Sequence, residues 1–162
     1  ARGLHLPLNP DTLYFLPNSA QGVMPFAMNK SPAIVMTRLD IQRLEKVMAD
    51  IPAPLEMLEA LEDEMLRARV IGHKQIASDV VTMNSTVRFV DEASDREFVL
   101  TLVYPDQAGR PGTISVLAPV GMALIGLKVG QSINWQGPAG RPLRLKIIDV
   151  LYQPEANGDF HL

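Results

Sequence analysis

The 162-residue chain contains no cysteine, which excludes disulfides, thiolate metal sites and cysteine nucleophiles together and fits a reducing cytoplasm. Histidine is nearly as scarce. His5, His73 and His161 lie far apart, and none has a second histidine at helical ligand spacing, so neither a metal nor a histidine-based catalytic centre is expected. No glycine-rich phosphate loop is present, which argues against phosphoryl transfer and leaves no cofactor implied. No apolar run approaches the roughly 18 residues of a membrane-spanning helix, so a soluble protein without a membrane partner is expected. Charge is nearly balanced, with a formal net of -3, which disfavours tight electrostatic binding of nucleic acid. A protein partner fits better.

What is present is the composition of a globular domain, 47% hydrophobic and 20% charged. Pro7, Pro10, Pro17 and Pro25 break every periodicity near the beginning, so residues 1–30 read as a leader or extension, either poorly ordered or lying upstream of a natural start at Met28. The competing reading is an arm that packs Leu13, Tyr14, Phe15 and Leu16 onto a neighbour.

Residues 31–78 read as a short antiparallel helical hairpin. After the apolar lead-in Ile34-Val35-Met36, Thr37-Arg38-Leu39-Asp40 resembles a capping box with Asp in place of Glu, which predicts a helix from Arg38. Ile41, Leu44, Met48 and Ile51 share one stripe, and Ile51-Pro52-Ala53-Pro54 stops the helix near Asp50. A second helix is predicted over Pro54 to Val70, with Leu58, Leu61, Met65 and Ala68 on its apolar stripe. Glu56, Glu59, Glu62, Asp63 and Glu64 crowd its early part, an arrangement that suits the helix dipole and reads as a solvated face.

From Asp79 to Leu162 the apolar period changes to two. Val81, Met83, Val87 and Phe89 mark a first strand, and Phe98, Leu100, Leu102 and Tyr104 a second. Ile114 to Leu117 form a third, Pro119 to Gly126 a short helix, and Ser132–Gln136 and Leu143–Tyr152 two more strands around the turn signal Gly137-Pro138-Ala139-Gly140. The expected architecture is α+β: an antiparallel sheet of five strands carrying one short helix. Trp135 reads as core, and Thr82, Asn84 and Ser85 as residues bonding local backbone.

Three separated strings are specific beyond pattern: Asp79-Val80-Val81-Thr82-Met83-Asn84-Ser85, the run from Ile114 to Leu127, and Tyr152-Gln153-Pro154-Glu155-Ala156. Together they resemble the Rnk family, regulators of nucleoside diphosphate kinase related to the GreA/GreB transcription elongation factors. The resemblance covers residues 33–162. It implies an FKBP-like sheet domain, a cytoplasmic protein without enzymatic activity of its own, and bacterial RNA polymerase as partner at the rim of its secondary channel. DNA contact would then be at most indirect. Gre factors read roughly Ser-x-x-Ser-Pro in the segment that forms part of the polymerase contact. This chain reads Ser115-Val116-Leu117-Ala118-Pro119, so Ser115, Leu117, Ala118, Pro119, Val120 and Gly121 are the implied polymerase-binding residues, on a more apolar surface.

In Gre factors, cleavage of the transcript is understood to depend on acidic residues at the tip of a long coiled coil that hold a magnesium ion. The corresponding tip here is Asp50, Ile51, Pro52, Ala53 and Glu56, where proline and apolar residues separate the two acids. Competition with Gre factors without cleavage follows from the resemblance. The alternative is an FKBP-like peptide-binding module or prolyl isomerase, against which the paucity of aromatics counts: one Trp, three Tyr and five Phe in the whole chain.

Overall fold

The computed structural model describes residues 32–136 and 140–162; the leader at 1–30 and the turn residues at 137–139 lie outside the described residues, together with the expectations that concern them. A short strand, β1 (Val35–Thr37), runs directly into helix α1 (Arg38–Asp50). Thr37 caps that helix: its Oγ1 accepts the Asp40 N–H at 3.0 Å. The Asp40 carboxylate, in place of the Glu of a full box, accepts the Met83 N–H at 3.0 Å. Leu44 is buried, Ile41 and Met48 pack beside it, and the helix stops where Ile51 becomes extended ahead of two prolines.

Helix α2 (Leu55–Arg67) buries the anticipated stripe, with Leu61 and Met65 inside and Leu58 and Ala68 alongside. It ends earlier than periodicity predicts. Ala68 is extended and Arg69–Ile71 forms β2, pairing in parallel with β1, so the lead-in to α1 is itself a strand and a two-stranded sheet brackets the helices. The β-branched Val70 and Ile71 suit that ladder better than a last helical turn. Glu64 corrects the reading of the acidic run as wholly solvated. It is buried, and Arg67 Nε donates to its carboxylate at 3.1 Å while Arg67 also donates to the Pro32 carbonyl at 2.8 Å. The pair thereby fixes the chain entering β1.

The main sheet has five strands in the order β5-β4-β3-β7-β6: β3 (Thr86–Asp91), β4 (Arg96–Val103), β5 (Thr113–Ser115), β6 (Ser132–Gln136) and β7 (Pro142–Tyr152). The central strand β3 alternates half-buried and buried residues without exception, and its Val87 and Phe89, with Leu145 and Ile147 of β7, line the inner face of the sheet. Phe89 stacks on Phe98 with ring centroids 5.4 Å apart. Three of the four pairings are antiparallel. The fourth corrects the expected all-antiparallel sheet: β5 pairs with β4 in parallel, because the nine-residue connection through the 3-10 turn Pro105–Gln107 and the left-handed Gly109 and Gly112 carries the chain back along the strand. Register shifts in β7 opposite Thr86–Val87 and Arg88–Phe89 bend the sheet. Helix α3 (Pro119–Leu124) lies between β5 and β6, and buried residues of the helices and of the sheet belong to one continuous core.

A third correction concerns Val81 and Met83, which are not on a strand. Val81 exchanges backbone hydrogen bonds with Gly126 and Leu127, and Asn84 then adopts a left-handed φ of 65°, turning the chain before β3 starts at Thr86. Thr82 and Ser85 close this turn, the Thr82 N–H donating to Ser85 Oγ at 3.0 Å, so the expected bonding of local backbone holds for Ser85, whereas the Thr82 hydroxyl bonds the side chains of Ser85 and Glu155. Apolar alternation here reflects burial in a loop, which a period of two cannot distinguish from a strand.

Candidate functional site

The implied docking segment is a strand-to-helix connection held by its own backbone. Leaving β5, the Val116 N–H still bonds the Val103 carbonyl at 3.0 Å; Ser115 then turns the chain, its Oγ accepting the Leu117 N–H at 3.1 Å and its carbonyl the Ala118 N–H at 3.0 Å. Ala118 is the N-cap of α3 and offers no side-chain cap, while Pro119 supplies the fixed φ that starts the helix. Leu117 is buried at 8% exposure, in line with a core role. Ala118, Pro119 and Val120 are half-buried and present themselves at the surface. Gly121, one of the implied polymerase-binding residues, is buried. A Cβ there would lie 2.0 Å from the Ser115 carbonyl oxygen, so the close approach of α3 to β5 requires glycine.

Two recesses flank this segment. On the inner face of the sheet a cleft of about 290 Å³ is floored by Phe89, Phe98 and Leu145 and walled by Ile114 and Val120, with Arg96 and Arg141 at its mouth. On the other side, a groove of about 160 Å³ is lined by Leu117, Pro119 and Met122, by Trp135 and Gln136 of β6, and by Glu56, Met57 and Ala60 of α2. Trp135 is 5% exposed and packs as expected. Of the tip residues, Asp50, Pro52 and Glu56 are exposed and Ile51 and Ala53 half-buried. The structure thus brings Glu56 to the same groove as Leu117 and Pro119, while Asp50, Ile51, Pro52 and Ala53 do not line it. Among the described residues no group of three His, Asp or Glu side chains could hold a metal ion.

Asp40, Thr82, Met83 and Glu155 form a largely buried polar junction that patterning did not reveal. The Asp40 carboxylate accepts the Met83 N–H at 3.0 Å, and Thr82 Oγ1 donates to Glu155 at 2.8 Å. Burial, opposed by the Met83 hydrogen bond and by Arg43 and reinforced by Glu155, pushes the Asp40 carboxyl up to about 7. Burial, with the Asp40 charge adding, also holds the neighbouring Tyr104 phenol above its usual range. The sequence carried one faint signal of this junction, an Asp where a capping box prefers the longer Glu.

Sequence comparison assigns the class first. Residues 76–152 match the family "Transcription elongation factor, GreA/GreB, C-term" and residues 32–71 the family "Rnk N-terminus". The GreA/GreB elongation factor of Nitrosomonas europaea, a solved structure, is 46% identical, covers 75% of this chain and all of its own, and superposes with a TM-score of 0.60. The transcription elongation factor GreA of Rhodospirillum rubrum is 39% identical over 84 residues, about half of each chain. Within that class, the regulator of nucleoside diphosphate kinase of Escherichia coli is 41% identical over 134 residues, covering 81% of this chain and 98% of its own. The chain belongs to the Rnk family of regulators of nucleoside diphosphate kinase. No helix among the described residues is long and apolar enough to cross a membrane.

Proposed function

We propose that the protein is a transcription regulator that docks on RNA polymerase at the rim of the secondary channel and competes there with Gre factors without stimulating cleavage. In this reading the curled five-stranded sheet with α3 is an FKBP-like docking domain, and α1 and α2 form a short antiparallel hairpin. Regulation of the level of nucleoside diphosphate kinase would be an outcome of that binding. The observation that carries the reading is the segment Ser115–Val120: its backbone is fixed by Ser115 and by the glycine-dependent contact at Gly121, and Ala118, Pro119 and Val120 are left at the surface between two apolar recesses. A preorganised apolar rim of this kind binds with a reduced ordering cost. The isomerase alternative finds no support in the relatives, which are named as regulators and elongation factors.

The test is binding of the purified protein to RNA polymerase, with a Gre factor as competitor. Pro119→Asp and Val120→Asp should each weaken binding about tenfold or more with little change in thermal transition. Loss of folding in step with loss of binding would make the segment merely structural. Turnover of a proline peptide in the absence of polymerase binding would reverse the choice between the two functions.

A further inference from the structure

Helix α2 contributes one wall of the groove beside Pro119, a part for which the docking segment alone gives no reason. We propose that α2 belongs to the polymerase contact, and that the groove receives one apolar side chain from a polymerase segment that carries lysine or arginine next to it; this rests on the polymerase reading above. The floor of the groove is Leu117 and Trp135, both nearly closed to solvent, and its α2 wall is Met57 and Ala60. Its volume of about 160 Å³ suits a single side chain, since a cavity of about 150 Å³ takes a group the size of benzene.

The charge around it selects the neighbour of that side chain. Glu56 stands at the lip, and Glu56, Glu59, Glu62 and Asp63 are all exposed on α2 and form no ion pair among the described residues. An apolar hole beside exposed carboxylates that no described residue pairs complements an apolar residue flanked by cations and repels one flanked by acids. Leu55, immediately before Glu56, is 69% exposed, so the lip also offers apolar surface left open among the described residues. Because α2 and the Pro119 segment share the groove, a partner seated on one touches the other.

The experiment measures the affinity of the full chain for purified RNA polymerase, at low and high salt, for the wild type and for Glu56→Lys, Ala60→Phe and Pro119→Asp. Glu56→Lys reverses the lip charge on an exposed residue, and Ala60→Phe fills the groove. Each should weaken binding about tenfold, and Glu56→Lys should also flatten the salt dependence seen in the wild type. Should Ala60→Phe lower the thermal transition, Glu56→Lys alone decides. Wild-type affinity in both α2 variants, alongside loss in Pro119→Asp, would overturn the part given to α2 and leave the polymerase reading standing. Failure of the wild type to bind would remove both. Self-association abolished by the α2 variants, with polymerase affinity unchanged, would show the occupant to be a second copy and overturn the proposal as well.

Discussion

The carboxylate of Asp40, in the first turn of α1, accepts the backbone N–H of Met83, 43 residues further along the chain, at 3.0 Å. This bond ties the first helix to the turn that leads into the central strand. It also places a carboxyl where only 2% of the residue meets solvent, beside Glu155, Tyr104 and Arg43.

Stability should consequently fall as pH rises. Burial lifts the Asp40 carboxyl from 3.8 to about 7, so the folded protein holds the proton more tightly than the unfolded chain does. Its stabilising contribution is complete below about pH 4, declines through the interval up to about 7, and is lost above it. At about 1.4 kcal/mol per unit the ceiling is about 4 kcal/mol. Asp40→Asn keeps an oxygen for the Met83 N–H and removes the charge. Its melting temperature should exceed that of the wild type clearly at about pH 8 and little at about pH 4. A difference independent of pH would rule out titration of Asp40.

Helices α1 and α2 were legible because their apolar stripes and their terminators agree: Thr37 and Pro52 bound α1, and Leu44 and Leu61 sit where periodicity places them. The strands β6 and β7 were legible for the same reason. Parallel pairing of β5 was not, since strand direction depends on the path of the connection through Gly109 and Gly112 and leaves no mark on alternation. Nor was the groove at Pro119, because its walls come from Met57 and Ala60 on one side and Trp135 on the other, residues that nothing local in the sequence joins. Glu64 looked like its exposed neighbours until Arg67 and the Pro32 carbonyl gave it a reason to be inside.

Gly121 should be far less replaceable than Gly130. An added Cβ meets the Ser115 carbonyl oxygen at 2.0 Å and Leu102 Cδ1 at 3.2 Å, so Gly121→Ala must push α3 off β5. The expected cost is about 2–4 kcal/mol. Gly130→Ala meets nothing within 4 Å and pays only for its φ of 87°, about 1–2 kcal/mol. Denaturant midpoints of the two variants compare them directly, and equal losses would contradict the close packing.

Arg67→Ala should destabilise the entry to β1 as well as α2. It removes the guanidinium that serves the buried Glu64 carboxylate and the donor to the Pro32 carbonyl. Because Glu64 is 1% exposed while Arg67 retains some solvent contact, a cost of about 2–3 kcal/mol is expected, below the range for pairs buried on both sides. Arg67→Ala with Glu64→Leu should recover much of it, since an apolar residue carries no desolvation cost. Thermal unfolding of the single and double variants measures the recovery, and none would mean that the ion pair is not the source.

Transcript cleavage should be absent. Helix α1 has 13 residues, which at about 1.5 Å per residue gives a reach of about 20 Å, short for a hairpin that would have to thread a channel to the polymerase active site. The acids at the tip are also ill placed. Glu56 lies at the groove beside Pro119, Asp50 does not, and the described residues offer no third carboxylate to complete a site for a hard cation. In a backtracked elongation complex the protein alone should release no 3′ fragment, and in excess it should suppress release by a Gre factor. Magnesium-dependent release that disappears in Asp50→Ala with Glu56→Ala would instead make the tip catalytic. Suppression that survives Pro119→Asp would place the competition elsewhere than at the Ser115–Gly121 segment.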